Sequence, residues 1–307
     1  SGAAQAVLEA VAMPNGIVMI SGSATAPVLS TVDDNGLFFR TAPSDARSAE
    51  VLADILLEGG YKSIAITYVN NDYGKGLGSA IEANFVAGGG TVTINTGHEE
   101  NKGDYSADAA ALAQAGGDIL VVAGYADGGG GAIIQGSLDI GSFETFFLPD
   151  GMYADSLTTS FGSQIEGSFG ASAGTDSPGD ATFKTLFAEA GHEYNVYAGE
   201  YYDAAALILL SMQAANSASS SDFKGHVMDV ANAPGEKIYP GELAKALQIL
   251  ADGGDVDYVG ASAVELIEPG ESGGSYLQYE VRNGKFETVG YRFFYAKYQS
   301  NKFSGNA

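Results

Sequence analysis

From Gly16 to Leu148 short runs of β-branched and aromatic residues alternate with stretches whose apolar residues recur at helical spacing. This rhythm predicts βαβ units and a parallel sheet. Strands are expected at 17–20, 37–41, 63–69, 91–96, 119–123 and 145–148, with helices at 2–13, 44–59, 74–87, 105–115 and 129–139. The run Gly117-Asp118-Ile119-Leu120-Val121-Val122-Ala123 is apolar without alternation, as a strand covered on both faces must be. Ser44 is placed to cap a helix, Gly59-Gly60 to end it, and Gly88-Gly89-Gly90 to break the next one before a strand. After Gly167 the pattern changes to a strand near 168–173 and helices at 180–190, 196–215 and 240–251. Strands at 275–282 and 285–294 then flank Asn283-Gly284, a strong hairpin signal, so the chain is expected to return to an earlier sheet. Residues 217–221 read as a surface loop, because helical periodicity resumes on either side.

Composition narrows the possible partners. The 307 residues suffice for two domains. With 38 acidic against 14 basic residues the formal net charge is -24, which disfavours nucleic acid and adhesion to an anionic membrane. The absence of cysteine excludes disulfides, thiolate metal sites and thiol nucleophiles. Apolar stretches such as 118–124 and 204–212 fall short of the ~20 residues that span a bilayer, so no direct membrane insertion is expected. Ser1 is not followed by a recognisable leader.

Catalytic motifs are missing. His98, His192 and His226 form no HExxH, and neither GxSxG nor GxxxxGK[ST] occurs. His192 follows Gly191 at a helix end and reads as a solvated capping residue. The loop Gly124-Tyr125-Ala126-Asp127-Gly128-Gly129-Gly130-Gly131 occupies the place of a dinucleotide fingerprint, but its spacing fails, and a tight strand-to-helix turn is the preferred reading. Asp33-Asp34-Asn35-Gly36 and Asp252-Gly253-Gly254-Asp255 lack the full calcium ligand series and read as turns.

The segment Val18-Met19-Ile20-Ser21-Gly22-Ser23-Ala24-Thr25-Ala26-Pro27 resembles a stretch of the periplasmic Leu/Ile/Val-binding proteins, the type I solute-binding proteins of ABC transporters. Further pieces follow in the family's order: Phe38-Phe39-Arg40-Thr41-Ala42-Pro43-Ser44-Asp45, Ser63-Ile64-Ala65-Ile66, Asn70-Asn71-Asp72-Tyr73-Gly74-Lys75-Gly76, Asp104-Tyr105-Ser106, Ala123-Gly124-Tyr125, Leu148-Pro149-Asp150-Gly151 and Val259-Gly260-Ala261-Ser262. The resemblance implies an α/β protein with the two-lobed type I periplasmic-binding fold, each lobe a parallel sheet flanked by helices, joined by a hinge of three crossovers. Lobe one is expected at 1–43 and 175–272, lobe two at 44–174 and 273–307.

It also implies a site. Ser23, Ala24 and Thr25 stand just beyond a strand's carboxyl end, where open α/β sheets bind ligands. In the family this turn holds the ligand's α-carboxylate and α-ammonium, and Ser1 resembles a loop serine that contacts the carboxylate. Tyr73 and Tyr125 would cover the ligand, and Asp150 stands where the family carries a carboxylate that pairs with the ammonium. Asp150 is shorter than the glutamate of the Leu/Ile/Val type. The family begins with further strands and helices before the stretch matching Ser1, on the order of 80 to 100 residues at ~30 per βαβ unit, so the chain is expected to be a fragment. The expected protein is periplasmic and non-catalytic. It uses no cofactor or metal, binds an amino acid or an amide such as urea, and serves a membrane permease of an ABC transporter. The rivals are a ligand-sensing receptor domain of the same fold and a nucleotide-using enzyme.

Overall fold

The computed structural model describes residues 1–293. Residues 294–307, which the expected second lobe and the end of its last strand include, lie outside the described residues. Two compact units emerge, one of Ser1–Ser44 with Ala173–Ser275, the other of Asp45–Ser172 with Tyr276–Arg292.

The second unit is built on a seven-stranded sheet in the order Lys285–Phe293, Ser275–Arg282, Phe169–Ala173, Phe146–Phe147, Ile119–Ala123, Ser63–Val69, Thr91–His98. The five strands from Phe169–Ala173 to Thr91–His98 are parallel. Ile119–Ala123 is buried at every position, as its unbroken apolar run requires. Ala65, Leu120, Val122, Phe146 and Leu148 share a core with Leu112, Ile133 and Ile134 from the helices Ser106–Ala115 and Gly131–Asp139. The alternate residues Ile64, Ile66, Val121 and Phe147 are equally buried, and Asp45–Glu58 and Asp72–Ala87 pack against each other. Each such aliphatic side chain contributes about 1.5–3 kcal/mol by leaving water.

The terminal hairpin rejoins this sheet beside Phe169–Ala173. Val281 N donates to Ser168 O and Gly174 N to Ser275 O, so the new neighbour runs antiparallel. Asn283 and Gly284 carry φ of +52° and +70°, the pair of left-handed residues that a two-residue turn matched to strand twist demands.

The first unit holds a four-stranded sheet in the order Met19–Ser21, Phe38–Pro43, Glu271–Ser272, Leu266–Ile267, the first three parallel and the last antiparallel. Beside it lies a parallel pair, Glu236–Ile238 with Val256–Tyr258. Leu207 and Leu210 of the helix Ala198–Ala214, Val227 and Val230 of Val227–Ala231, and Ala246 of Leu243–Ala251 join Leu37, Phe39, Ile238 and Tyr258 in one core. The strands Glu236–Ile238, Val256–Tyr258, Leu266–Ile267 and Glu271–Ser272 and the helices Asp155–Phe161 and Ser220–Phe223 were not expected. Elements of two to seven residues show too few turns or alternations to register as a period. The first helix also runs past its expected end, through a wider π stretch at Leu8–Ala12 to Asn15, and stops on Gly16. Among the described residues no helix is long and apolar enough to cross a membrane.

Two carboxyl groups are buried near the start of Ala198–Ala214. Asp203 accepts from Tyr258 Oη at 2.8 Å, Ala261 N at 2.8 Å, Ser262 N at 2.7 Å and Ser262 Oγ at 2.6 Å, which ties the segment after Val256–Tyr258 to the helix. Burial pushes its pKa up to about 6 against these donors. Glu200 is pushed up to about 8, chiefly by burial and further by Asp203 and Asp180, with Lys184 opposing. An unfolded chain releases the Glu200 proton near 4.5, so between there and about pH 8 the folded protein holds one proton more than the unfolded one. The contribution of Glu200 to stability is therefore full below that window and is lost as pH rises through it, by at most ~1.4 kcal/mol per pH unit.

Two predictions follow from this architecture. Chemical denaturation across the window should show a shallower fall in stability with rising pH for Glu200→Gln than for the wild type, and equal slopes would mean that Glu200 is ionised in the fold. Gly284→Ala should lower the unfolding free energy by about 1–2 kcal/mol, the cost of a left-handed Cβ. A loss below ~0.3 kcal/mol would show that the turn does not need its glycine.

Candidate ligand-binding site

A parallel sheet sends the carboxyl ends of its strands to one side. In the second unit three such ends lead to three of the expected site residues. Val69 leads to Tyr73 in the first turn of Asp72–Ala87, Ala123 to Tyr125, and Phe147 to Asp150. Asn71 caps the first of these helices, its Oδ1 accepting from Gly74 N at 3.0 Å, and this fixes where Tyr73 begins. Tyr73 Oη donates to Asp150 Oδ1 at 2.7 Å and accepts from Gly151 N at 3.3 Å. The Tyr73 and Tyr125 rings stack with centroids 5.2 Å apart and planes 16° from parallel. Tyr73 is buried and its pKa rises well above the ordinary phenol value, through desolvation first and then the charges of Asp150 and Asp45. Tyr125, half-buried, is raised mainly by desolvation. Both phenols are therefore neutral donors at physiological pH, and Asp150 is held in one orientation by a short bond to one of them.

The glycine-rich loop beside Tyr125 is a turn, as expected. Its helical path breaks at Gly128 and at Gly129, whose φ is +99°. A Cβ on Gly129 would lie 2.7 Å from Tyr105 Oη. Side chains of this chain crowd the loop.

In the first unit the loop after Met19–Ser21 carries Ser23, Ala24 and Thr25, and Ser1 reaches it from the start of the first helix. Ser21 Oγ accepts from Ala24 N at 3.1 Å and from Ser23 N at 3.4 Å, folding the loop back on its own strand. Ser1, at the start of the helix Gly2–Val7, accepts through its hydroxyl from Ala26 N at 3.1 Å. Ser23 Oγ shares a hydrogen bond of 2.8 Å with Tyr201 Oη. Ala24 is buried, its amide taken by Ser21 and its carbonyl by Arg40, so the second lone pair of that carbonyl is its remaining polar site. Thr25 differs from all of these. It is only 2% exposed, and among the described residues neither its hydroxyl nor its amide has a hydrogen-bond partner. Among the described residues the fully buried side-chain oxygens without a partner include those of Ser172 and Ser177 but not that of Thr25, whose hydroxyl therefore keeps some access to solvent and is open to a partner.

The structure adds residues that sequence reasoning did not single out. Tyr201 holds Ser23, and a Cβ on Gly22 would lie 2.7 Å from its ring, so the loop packs on the start of Ala198–Ala214. Thr41 Oγ1 donates to Glu200 O at 2.7 Å in the same place. Arg40 is buried and paired with Glu271. An arginine within the apolar run Leu37-Phe38-Phe39-Arg40 is a signal for a paired buried charge. Its partner, 231 positions away, carries none. A separate groove of about 540 Å³ in this unit, lined by Ala214, His226, Asp229, Asn232, Leu250 and Asp255, contains none of the expected site residues. Among the described residues no group of three or more His, Asp or Glu side chains is placed to hold a metal.

Comparison with known proteins bears on the family and the fold. A profile of the family described as periplasmic binding protein matches residues 1–233. Leu/Ile/Val-binding protein homolog 3 of Brucella melitensis is 35% identical over 119 residues, 38% of this chain and 32% of that protein. Leu/Ile/Val-binding protein homolog 2 of Brucella abortus is 30% identical over 230 residues, 73% of this chain and 58% of that protein. The chain thus spans between a third and three fifths of these relatives' lengths. Among solved structures a leucine binding protein from Thermotoga maritima superposes with a TM-score of 0.78 at 19% identity, covering 95% of this chain and 77% of that one, which identifies the fold as the type I periplasmic-binding fold. With three quarters of its length matched by the profile, this chain belongs to the periplasmic binding protein family.

Proposed function

We propose that this protein captures an amino acid, or a related small amide, and hands it unchanged to the membrane permease of an ABC transporter. The observation that carries the reading is Thr25, a residue only 2% exposed whose hydroxyl and amide have no partner among the described residues, while Ala24 and Ala26 on either side are bonded through both amide and carbonyl. Hydroxyl and amide donors there, with Ser1, Ser23 and the carbonyl of Ala24, suit an α-carboxylate and the amine beside it. Asp150 suits the α-ammonium, because a desolvated cation needs a charge-assisted acceptor and Tyr73 already holds this one in place. Within the second unit the stacked rings of Tyr73 and Tyr125 offer apolar area beside Asp150. The relatives' names support the capture of an amino acid, since they are Leu/Ile/Val-binding proteins. Membership of the family implies an extracytoplasmic location, and the periplasm is the proposed compartment.

Calorimetric titration with leucine, isoleucine, valine, phenylalanine and urea tests the proposal. One ligand class should bind the wild type. Asp150→Asn, which preserves size and can still accept from Tyr73, should weaken that binding ~10- to 100-fold, the worth of a hydrogen bond to a charged group. Thr25→Val should weaken it by about 10-fold. If Asp150→Asn binds as the wild type does, Asp150 is not the ammonium partner. Thermal stabilisation by nucleotides alone would overturn the solute-binding reading itself.

A further inference from the structure

Thr25 can meet a ligand only if the backbone on either side of it is fixed, and one side chain does this from beneath the loop. Arg40 lies in the strand Phe38–Pro43 and is 1% exposed. A guanidinium has five N–H donors in one plane, and every one of them is used. Nε donates to Glu271 Oε2 at 2.9 Å, and one Nη2 hydrogen goes to the same oxygen. The other Nη2 hydrogen goes to Ser30 Oγ at 2.6 Å. Both hydrogens of Nη1 go to the loop, to Ala24 O at 3.1 Å and to Ala26 O at 3.1 Å. These are the two residues that flank Thr25, and their amides are in turn held by Ser21 Oγ and Ser1 Oγ.

We infer that Arg40 is a positioning residue for ligand binding: its Nη1 group clamps the carbonyls of Ala24 and Ala26 and so presents Thr25 to the solute. The inference rests on the proposed role of Thr25, but its geometry does not. Glu271 serves the clamp by neutralising and orienting the guanidinium, which allows Arg40 to be buried while both Nη1 hydrogens remain directed at backbone oxygens. Ser30 Oγ, which also donates to Glu271 Oε2 at 2.8 Å, closes the remaining corner. A lysine could keep the charge pair, but with three donors it cannot make five bonds, and a single ammonium cannot bridge both carbonyls in the plane that the guanidinium imposes.

The test compares Arg40→Lys with Val227→Ala, a core truncation in the same unit that touches neither the loop nor the ion pair. Two quantities are read at matched distance below each variant's melting temperature: hydrogen exchange of the Ala24 and Ala26 amides without ligand, and the Kd for whichever amino acid binds the wild type. Arg40→Lys should speed exchange at both amides by about 10-fold and weaken binding by about 10-fold, the combined worth of two ordinary hydrogen bonds. Val227→Ala should lose comparable stability yet leave both quantities within about two-fold of the wild type, since a cavity in the core acts through global unfolding. Unchanged loop exchange in Arg40→Lys, or equal effects from the two variants, would overturn the inference. If the wild type binds no member of the panel the solute reading fails, while the exchange data still decide whether Arg40 holds the loop. Should Arg40→Lys not fold, the wild-type guanidinium resonances serve instead. Separate, slowly exchanging Nη1 hydrogens support the clamp, and freely rotating averaged ones refute it.

Discussion

The constraint from which the architecture of the second unit follows is the shared direction of its central strands. Parallel strands cannot be joined by tight turns, so each must be followed by a helix that carries the chain back, and each strand-to-helix junction falls on the same side of the sheet. Tyr73, Tyr125 and Asp150 are far apart in sequence yet follow three strands of one parallel set, Ser63–Val69, Ile119–Ala123 and Phe146–Phe147. Their contact, a hydrogen bond between Tyr73 and Asp150 and a stack between the two rings, follows from that common side. The sheet can impose it because its middle is dry on both faces, with Ile64, Leu120, Val121 and Phe147 inaccessible to water.

In the first unit the sheet is shorter, and buried polar groups take over part of the work. The Asp203 carboxylate gathers four donors from Tyr258, Ala261 and Ser262, and the Arg40 guanidinium places all five of its hydrogens. Buried groups satisfied this completely define one conformation, because any alternative leaves a donor or acceptor stranded in low dielectric. Against that background Thr25 stands out. Its hydroxyl and amide have no partner among the described residues, while the backbone of Ala24 and Ala26 on either side of it is bonded.

Much of this was legible in the sequence. Strands at 63–69, 119–123 and 275–282 were expected at the residues where they occur, since five to eight β-rich residues bounded by turn formers leave little alternative and Asn283-Gly284 fits the turn it makes. The glycine-rich loop was rightly read as a turn, because its spacing could not cradle a phosphate. The resemblance also pointed to Tyr73, Tyr125 and Asp150, which the structure brings together within one unit.

The amino-acid order alone determined the class of the fold, the place of its long elements and the junctions where polar chemistry collects, because those depend on periodicity and on backbone preferences that act over a few residues. It did not determine the short strands Glu236–Ile238, Val256–Tyr258, Leu266–Ile267 and Glu271–Ser272 of the first unit, which exist only because neighbouring strands offer hydrogen bonds. Nor did it determine that Arg40 meets Glu271, that Tyr201 holds Ser23, or that Thr25 is buried with no partner among the described residues. Each of these depends on residues brought together from distant parts of the chain, and whether a polar group is satisfied is a property of its surroundings that no local stretch of sequence contains.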